Sequence, residues 1–408
     1  MDKYAFLFSG QGSQYAGMGK DLYDNYKVVR EVFNEASDTL NKDMMKLCFF
    51  DENKELLKTE NTQVAILTLS VAQYRLFMSK IGIKASYYAG NSLGEYAALV
   101  CGNVLSFRDA LQLVKTRGEL MGYADKDNKG EMVSIKGIEE NYIEKKCLEF
   151  SSMNKIIGIS NYNGKNNVVI SGEFEVVEAL RDNFRKMGAK DIKLKVSSAF
   201  HSEMMREAGE KLKVELNKYK LNNPKVNILS NVSALPYKNS EDIVSLLGEQ
   251  IRKPVKWKQI MDYLVLSNVG VCVEFGPKAT LRNLCRNYMK KVKAYSFDRD
   301  IEIINKEFKN LKKYSIVSRS LGIAVSTPNY NNDSNAYEVG VIEPYRRIEK
   351  IRDDIEREGR EETLEEQREA VKMLQSVFEV KGISKKEESE RFEQLIRETD
   401  VSKELISK

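Results

Sequence analysis

Histidine is almost missing from this 408-residue chain, where His201 is the only one. Imidazole is the commonest side-chain metal ligand and the usual base at neutral pH, so a histidine-built metal centre is excluded and any imidazole chemistry falls to His201. The cysteines are few and unpaired in pattern: Cys48, Cys101, Cys147, Cys272 and Cys285 are an odd number, widely spread, with no metal-ligand spacing. They read as reduced core thiols of a cytoplasmic protein, not as a disulfide framework or a metal site. No apolar run approaches the ~20 residues that a membrane-spanning helix needs. The opening Met1-Asp2-Lys3-Tyr4-Ala5-Phe6-Leu7-Phe8 is too short in its apolar part for a signal peptide and is soon broken by Gly10 and Gly12; it reads as a first buried strand. No basic stripe interleaved with aromatics stands out, which argues against nucleic-acid binding. No Lys-Ser/Thr follows Gly10-Gln11-Gly12 at the spacing of a nucleotide-binding loop.

Against these absences stands Gly90-Asn91-Ser92-Leu93-Gly94. Residues 86–89 read as a buried strand entering the turn and 93–100 as a helix leaving it, which is the context of a nucleophile elbow. A Cβ at either flanking glycine would obstruct such a bend. A serine hydroxyl is a poor nucleophile until a positioned base takes its proton. His201, in Val196-Ser197-Ser198-Ala199-Phe200-His201-Ser202, is the one imidazole available. Ser92 then sits at a helix N-terminus, where the unpaired Leu93 amide suits an oxyanion. The pentapeptide also arises by chance in glycine-rich turns, and no evident acid completes a Ser…Asp…His order.

Four more segments accompany the elbow: Phe8-Ser9-Gly10-Gln11-Gly12-Ser13-Gln14, Thr116-Arg117-Gly118-Glu119-Leu120-Met121, Ala199-Phe200-His201-Ser202, and Gln250 ahead of Pro254-Val255-Lys256-Trp257. With Glu95 closing the elbow motif, the set resembles the family of malonyl-CoA:acyl carrier protein transacylases and polyketide synthase acyltransferase domains, over residues 1–312. The resemblance implies a catalytic Ser92–His201 dyad. In it the backbone carbonyl of Gln250 orients the imidazole, because a carbonyl fixes the tautomer as an acid would. It implies that the Gln11 amide faces that of Leu93 as the second oxyanion donor. It also implies that Arg117 holds a malonyl carboxylate through paired charge-assisted bonds. Outside the motif, Arg117 reads as an arginine on a solvated helix face. Phe200 takes the place of the ring that leaves malonyl-selective members little room for a methyl branch. Met121 and Met132 match positions lining the acyl pocket, and at that spacing read equally as packing. One position departs from the family's Gly-His-Ser-Leu-Gly, with Asn91 replacing that histidine. The base lies downstream, so the mechanism is retained, and Asn91 offers a neutral N–H of similar reach. A group titrating like imidazole in a pH–rate profile is therefore expected to be His201.

Strand and helix patterns alternate along the chain. Residues 1–127 carry the opening strand, helices around 20–48 and 61–80, the elbow, and a helix from Ser106 to Tyr123. Strand 132–136, helix 139–150, strands 156–161 and 167–171, helix 174–187 and strand 191–196 then give the β-α-β-β-α-β order of a ferredoxin-like unit. Residues 226–231, 269–275 and 292–296 return as strands. The expected fold class is α/β, with an α/β-hydrolase-like large subdomain (1–127 and 199–312) and an inserted ferredoxin-like subdomain (128–198), the cleft lying between them. A linker (313–337) and a charged helical extension (338–408) follow.

The extension holds 15 Lys+Arg against 20 Asp+Glu, which leaves residues 1–337 at net +10. Such a basic body suits the steering of an acidic carrier protein. Thr363…Glu366 and Ser384…Glu387 read as capping boxes and Pro344 as a first-turn proline, while Val371, Leu374, Val377 and Phe378 recur at helical spacing. The extension resembles that of free-standing acyltransferases serving polyketide synthase modules, either as a solvated appendage or as a docking element. The expected function is S-malonyl transfer from malonyl-CoA through Ser92 to the phosphopantetheine thiol of an acyl carrier protein. No bound cofactor, metal, nucleic acid or membrane is expected to take part. The alternatives are an acyl hydrolase of the same fold, disfavoured by Arg117, and a non-catalytic docking subunit.

Overall fold

A computed structural model describes residues 3–124, 129–194, 196, 198–308, 314–399 and 401–406. The chain packs as two compact units, Met1–Lys80 with Lys84–Glu307, and Ile81–Ile83 with Phe308–Lys408. The subdomain boundaries expected at 127/128 and 312/313 lie outside the described residues.

The first unit contains nine strands among its described residues: β1 (Lys3–Phe8), β2 (Tyr87–Gly90), β3 (Gly130–Lys136), β4 (Ile157–Gly164), β5 (Asn167–Glu173), β6 (Lys190–Lys193), β7 (Asn227–Leu229), β8 (Val269–Phe275) and β9 (Lys293–Ser296). β7-β2-β1-β8-β9 form a parallel sheet. Ala5, Phe6, Leu7 and Phe8 are fully buried, as expected where both faces of a parallel sheet are covered and its strands become unbroken apolar runs. Phe8 pairs with Gly90 on one side and Phe275 on the other. The carboxyl ends of three strands therefore open at one rim, where α/β sheets place their sites.

β4-β5-β3-β6 form an antiparallel sheet. With helices Glu140–Ser151 and Phe174–Lys186 it makes the ferredoxin-like β-α-β-β-α-β unit around Val133, Ile135, Ile143, Ile170, Leu180 and Phe184. β6 ends at Lys193, short of the expected 196; Lys195 is outside the described residues. Backbone bonds join this unit to the larger one: Val255 N–H donates to Ser160 O at 2.8 Å and Tyr162 N–H to Val255 O at 3.0 Å.

The helix expected around 20–48 is broken into Lys20–Asn25 and Lys27–Leu40 by the extended Tyr26, with Asn41 left-handed at the far end. Helix Thr59–Lys80 packs against Phe107–Tyr123, which starts where the Ser106 hydroxyl accepts from the Asp109 amide. All five cysteines are buried and unpaired. Among the described residues no helix is long and apolar enough to cross a membrane.

The second unit corrects the expected linker at 313–337. Helix Ile316–Ser326 occupies part of that segment and buries Ile316, Val317, Leu321, Ile323 and Ala324. It shares its core with helices Glu343–Glu358, Leu364–Lys381 and Lys385–Glu398 through Ile348, Val371, Leu374, Val377, Phe378 and Leu395. The reciprocal capping box at Thr363 and Glu366 forms, Ser384 accepts from the Glu387 amide, and Pro344 sits in a first turn.

Gly118 tests the helix packing beside the site. A Cβ there would lie 2.4 Å from Glu60 Cα and 2.8 Å from Glu60 N. Gly118→Ala must push the two helices apart, and is expected to cost about 1–3 kcal/mol, read as a lower urea midpoint.

Candidate active site

The elbow forms because two glycines let three backbone segments meet. A Cβ on Gly90 would lie 1.9 Å from Gly94 C, and one on Gly94 would lie 2.0 Å from Phe8 O. Ser92 is forced to φ +51°, a left-handed conformation that costs about 1–3 kcal/mol and persists only where its surroundings over-determine it. They do so here. Asn231 Oδ1 accepts from the Ser92 amide at 2.6 Å, Asn231 Nδ2 donates to Gly90 O at 2.7 Å, and Gln250 Nε2 donates to Ser92 O at 2.8 Å.

His201 is likewise left-handed, at φ +55°. Its amide donates to Ile251 O at 3.0 Å, and the carbonyl before it accepts from Ser171 Oγ at 2.8 Å. His201 Nδ1 lies 2.7 Å from Gln250 O and Nε2 lies 2.8 Å from Ser92 Oγ. A carbonyl only accepts, so Nδ1 carries the proton and Nε2 turns its lone pair to the serine hydroxyl. Burial, followed by the positive charge of Arg117, pushes the imidazole pKa down from 6.5 to about 4.

Arg117 is 1% exposed and charged. Nη1 donates to Gln63 Oε1 at 2.7 Å; Nη2 donates to Gln250 Oε1 at 2.9 Å and to Ser92 Oγ at 3.0 Å. The Tyr96 ring lies 5.3 Å from the guanidinium carbon. Among the described residues Arg117 makes no ion pair, so a buried cation beside the serine oxygen is held by neutral amide oxygens. That environment favours an arriving anion, because the desolvation of the arginine is already part of the folded state.

A cavity of about 320 Å³ opens beside these groups, lined by Gln11, Asn91, Ser92, Met121, Met132, Phe200 and His201, with Ser134, Lys136, Asn161 and Asn167 from the small sheet. Arg117, Leu93 and Gln250 stand behind its wall, each 1% exposed. Among the described residues neither the Leu93 nor the Gln11 amide donates to a backbone carbonyl, whereas the Ser92 amide is taken by Asn231.

The structure thus brings every expected site residue to one place and adds Gln63, Asn231 and Glu95. Glu95 is fully buried, and burial pushes its pKa up to about 7. Burial moves an acid up and a base down: Glu274 is likewise raised to about 7, while His201 falls to about 4, below the imidazole range expected of it. The sequence signals for these additions are faint: the glutamate ending the elbow motif, and an asparagine just past a buried strand.

The sequence profile of the acyl transferase domain matches residues 5–320. The chain belongs to this acyl transferase family. The acyltransferase is 36% identical over 396 residues to a malonyl CoA-acyl carrier protein transacylase of Bacillus subtilis, covering 94% of this chain and 98% of that protein. It is 37% identical over 295 residues to the Escherichia coli (strain K12) transacylase, covering 72% and 95%. Among solved structures, a malonyl-transacylase in complex with a type II PKS acyl-carrier protein superposes with TM-score 0.72 at 36% identity, over 74% of this chain and 98% of that one. The Coxiella burnetii transacylase gives 0.73 at 32%, over 76% and 98%.

Asn231→Ala leaves the Ser92 amide and the Gly90 carbonyl without their partner. Acyl-enzyme formation is expected to slow by about ten- to a hundredfold, read by quenched-flow mass spectrometry, while Asn231→Asp, which keeps the acceptor oxygen, loses less.

Proposed function

We infer that the acyltransferase moves a malonyl group from malonyl-CoA to the phosphopantetheine thiol of an acyl carrier protein, for polyketide or fatty acid synthesis, through an ester on Ser92. The observation that carries the reading is the buried, charged Arg117, with no carboxylate partner among the described residues, bonded to the oxygen of the serine nucleophile. His201 Nε2 takes the Ser92 proton as Oγ attacks the thioester carbonyl. The Leu93 and Gln11 amides hold the oxyanion. Collapse breaks the C–S bond, and the CoA thiolate leaves with the proton from His201. The malonyl carboxylate stays on Arg117 while the carrier thiol gives its proton to His201 and attacks the ester carbonyl; the acyl C–Oγ bond then breaks, and His201 returns the proton to Ser92 Oγ. Gln250 holds the imidazole in the tautomer both halves need. Phe200, Met121 and Met132 bound the acyl chain. Asn91 faces the cavity without being needed for either dyad bond.

Hydrolysis, the alternative outcome for such an ester, gains nothing from a buried cation selecting a carboxylate. The test is intact-protein mass spectrometry after incubation with malonyl-CoA or acetyl-CoA. A single lasting malonyl adduct is expected, absent with acetyl-CoA and absent from Ser92→Ala. Rapid release of free malonate would favour the hydrolase, and no adduct would favour a docking subunit.

Two further outcomes follow from the geometry. Arg117→Ala is expected to lower kcat/KM for malonyl-CoA by about a hundredfold or more while leaving acetyl transfer nearly unchanged. Since His201 acts as a base only when neutral and its pKa is lowered to about 4, the limb owed to its protonation is expected near pH 4, well below 6.5. A stopped-flow pH–rate profile reads it.

A further inference from the structure

We propose that Glu95 is a positioning residue that sets the selectivity of the acyltransferase for a carboxylated acyl group, by fixing the side-chain amide of Gln250 against Arg117. The proposal rests on the malonyl-transfer reading.

Glu95 stands in the first turn of the helix that leaves the elbow and meets no reacting atom, yet it meets both residues that hold the reacting groups. Its Oε2 accepts from Gln250 Nε2 at 2.7 Å, its Oε1 accepts from the Tyr237 hydroxyl, and both oxygens lie 3.2 Å from the Asn231 amide. All three partners are donors, which an ionised carboxylate satisfies because it only accepts. The consequence lies in the orientation of Gln250. A primary amide has one donor end and one acceptor end. With Nε2 turned to Glu95 and to Ser92 O, Oε1 must face Arg117 Nη2. Were Glu95 to present a donor, Gln250 would gain by flipping, and its NH2 would then oppose the guanidinium. Arg117 would lose one of its two amide acceptors, and with it the fixed position beside Ser92 Oγ.

The charged and titratable groups around Glu95 are Arg117, Tyr96, Tyr237 and His201. Tyr237 is held well above 10 by burial and Tyr96 is raised to about 12, so both stay neutral; His201 is lowered to about 4 and Arg117 stays charged. Glu95, raised to about 7 by burial, is the one member of the cluster that changes charge near neutrality. It is ionised above that pH and protonated below it, so the amide orientation that serves Arg117 weakens as pH falls.

The experiment compares kcat/KM for malonyl-CoA with that for acetyl-CoA in wild type, Glu95→Gln and Tyr237→Phe, from about pH 8 to about pH 6, with thermal melts of each protein. In wild type the malonyl-to-acetyl ratio is expected to fall as the pH drops. In Glu95→Gln it is expected to be lower by about tenfold or more at pH 8 and no longer to vary with pH, the loss that follows when a bond to a charged group is given up. Tyr237→Phe leaves the carboxylate with fewer donors, so its step in the ratio is expected at higher pH. A merely structural Glu95 would lower both activities together and leave the ratio and its pH dependence unmoved, which would overturn the proposal. If Glu95→Gln fails to fold, a wild-type ratio that stays flat with pH, or a step that does not move in Tyr237→Phe, would overturn it equally. Failure of wild type to form a malonyl adduct would instead overturn the reading beneath it.

Discussion

The close approach of Gly94 to the Phe8 carbonyl is the constraint on which the site depends. It lets the helix leaving β2 start directly beside the end of β1, which tips Ser92 into a left-handed conformation and lifts its hydroxyl out at the sheet rim. The turn satisfies part of its backbone itself, Gly94 N–H bonding to Asn91 O at 2.9 Å and Glu95 N–H to Ser92 O at 3.1 Å, and leaves the Ser92 amide and the Gly90 carbonyl to find partners elsewhere. Asn231 reaches in from a distant chain segment to satisfy both, and Gln250 from another to bond Ser92 O. The same Gln250 presents its main-chain carbonyl to His201 and its side-chain oxygen to Arg117. Ser92, His201 and Arg117 are therefore all bonded to one residue, Gln250.

The electrostatics follow from the same arrangement. A buried arginine is ordinarily neutralised by a carboxylate, and the one buried carboxylate nearby, Glu95, is kept from direct contact by the intervening amide of Gln250. Had Glu95 paired with Arg117 directly, the guanidinium would be occupied and a substrate carboxylate would have to displace an internal one. Separation by one amide preserves attraction across the cluster while leaving the guanidinium bonded to neutral oxygens alone. Its positive charge also lowers the basicity of His201, which costs driving force for proton abstraction and keeps the imidazole neutral over a wide range of pH.

How much of this is legible in the sequence depends on whether a role is local. The elbow is legible because its glycines and serine sit at fixed spacing, and His201 because it has no competitor. The two sheets are legible because β1, β3 and β8 are unbroken or alternating apolar runs. Arg117 becomes legible only within its motif, since nothing in a lone arginine says whether its helix turns it outward or inward. Asn231 and Gln63 are not legible: Asn231 acts 139 residues from Ser92, and Gln63 54 residues from Arg117. The pKa values of His201 and Glu95 escape for the same reason, being set by burial. Helix Ile316–Ser326 reads as linker because Gly322 and the polar Ser318, Arg319 and Ser320 dilute a short apolar pattern. Its burial is decided by partners far along the chain, from Ile348 to Val401.

The second unit has a core and helix ends of its own. Its core draws on residues from Ile316 to Val401, its helices are started by Ser315, Thr363 and Ser384 caps, and Gly359 and Gly382 end two of them in the left-handed conformation. A segment that merely filled a gap would have no need of such complete terminal chemistry. None of the residues proposed for the acyl chemistry lies in it.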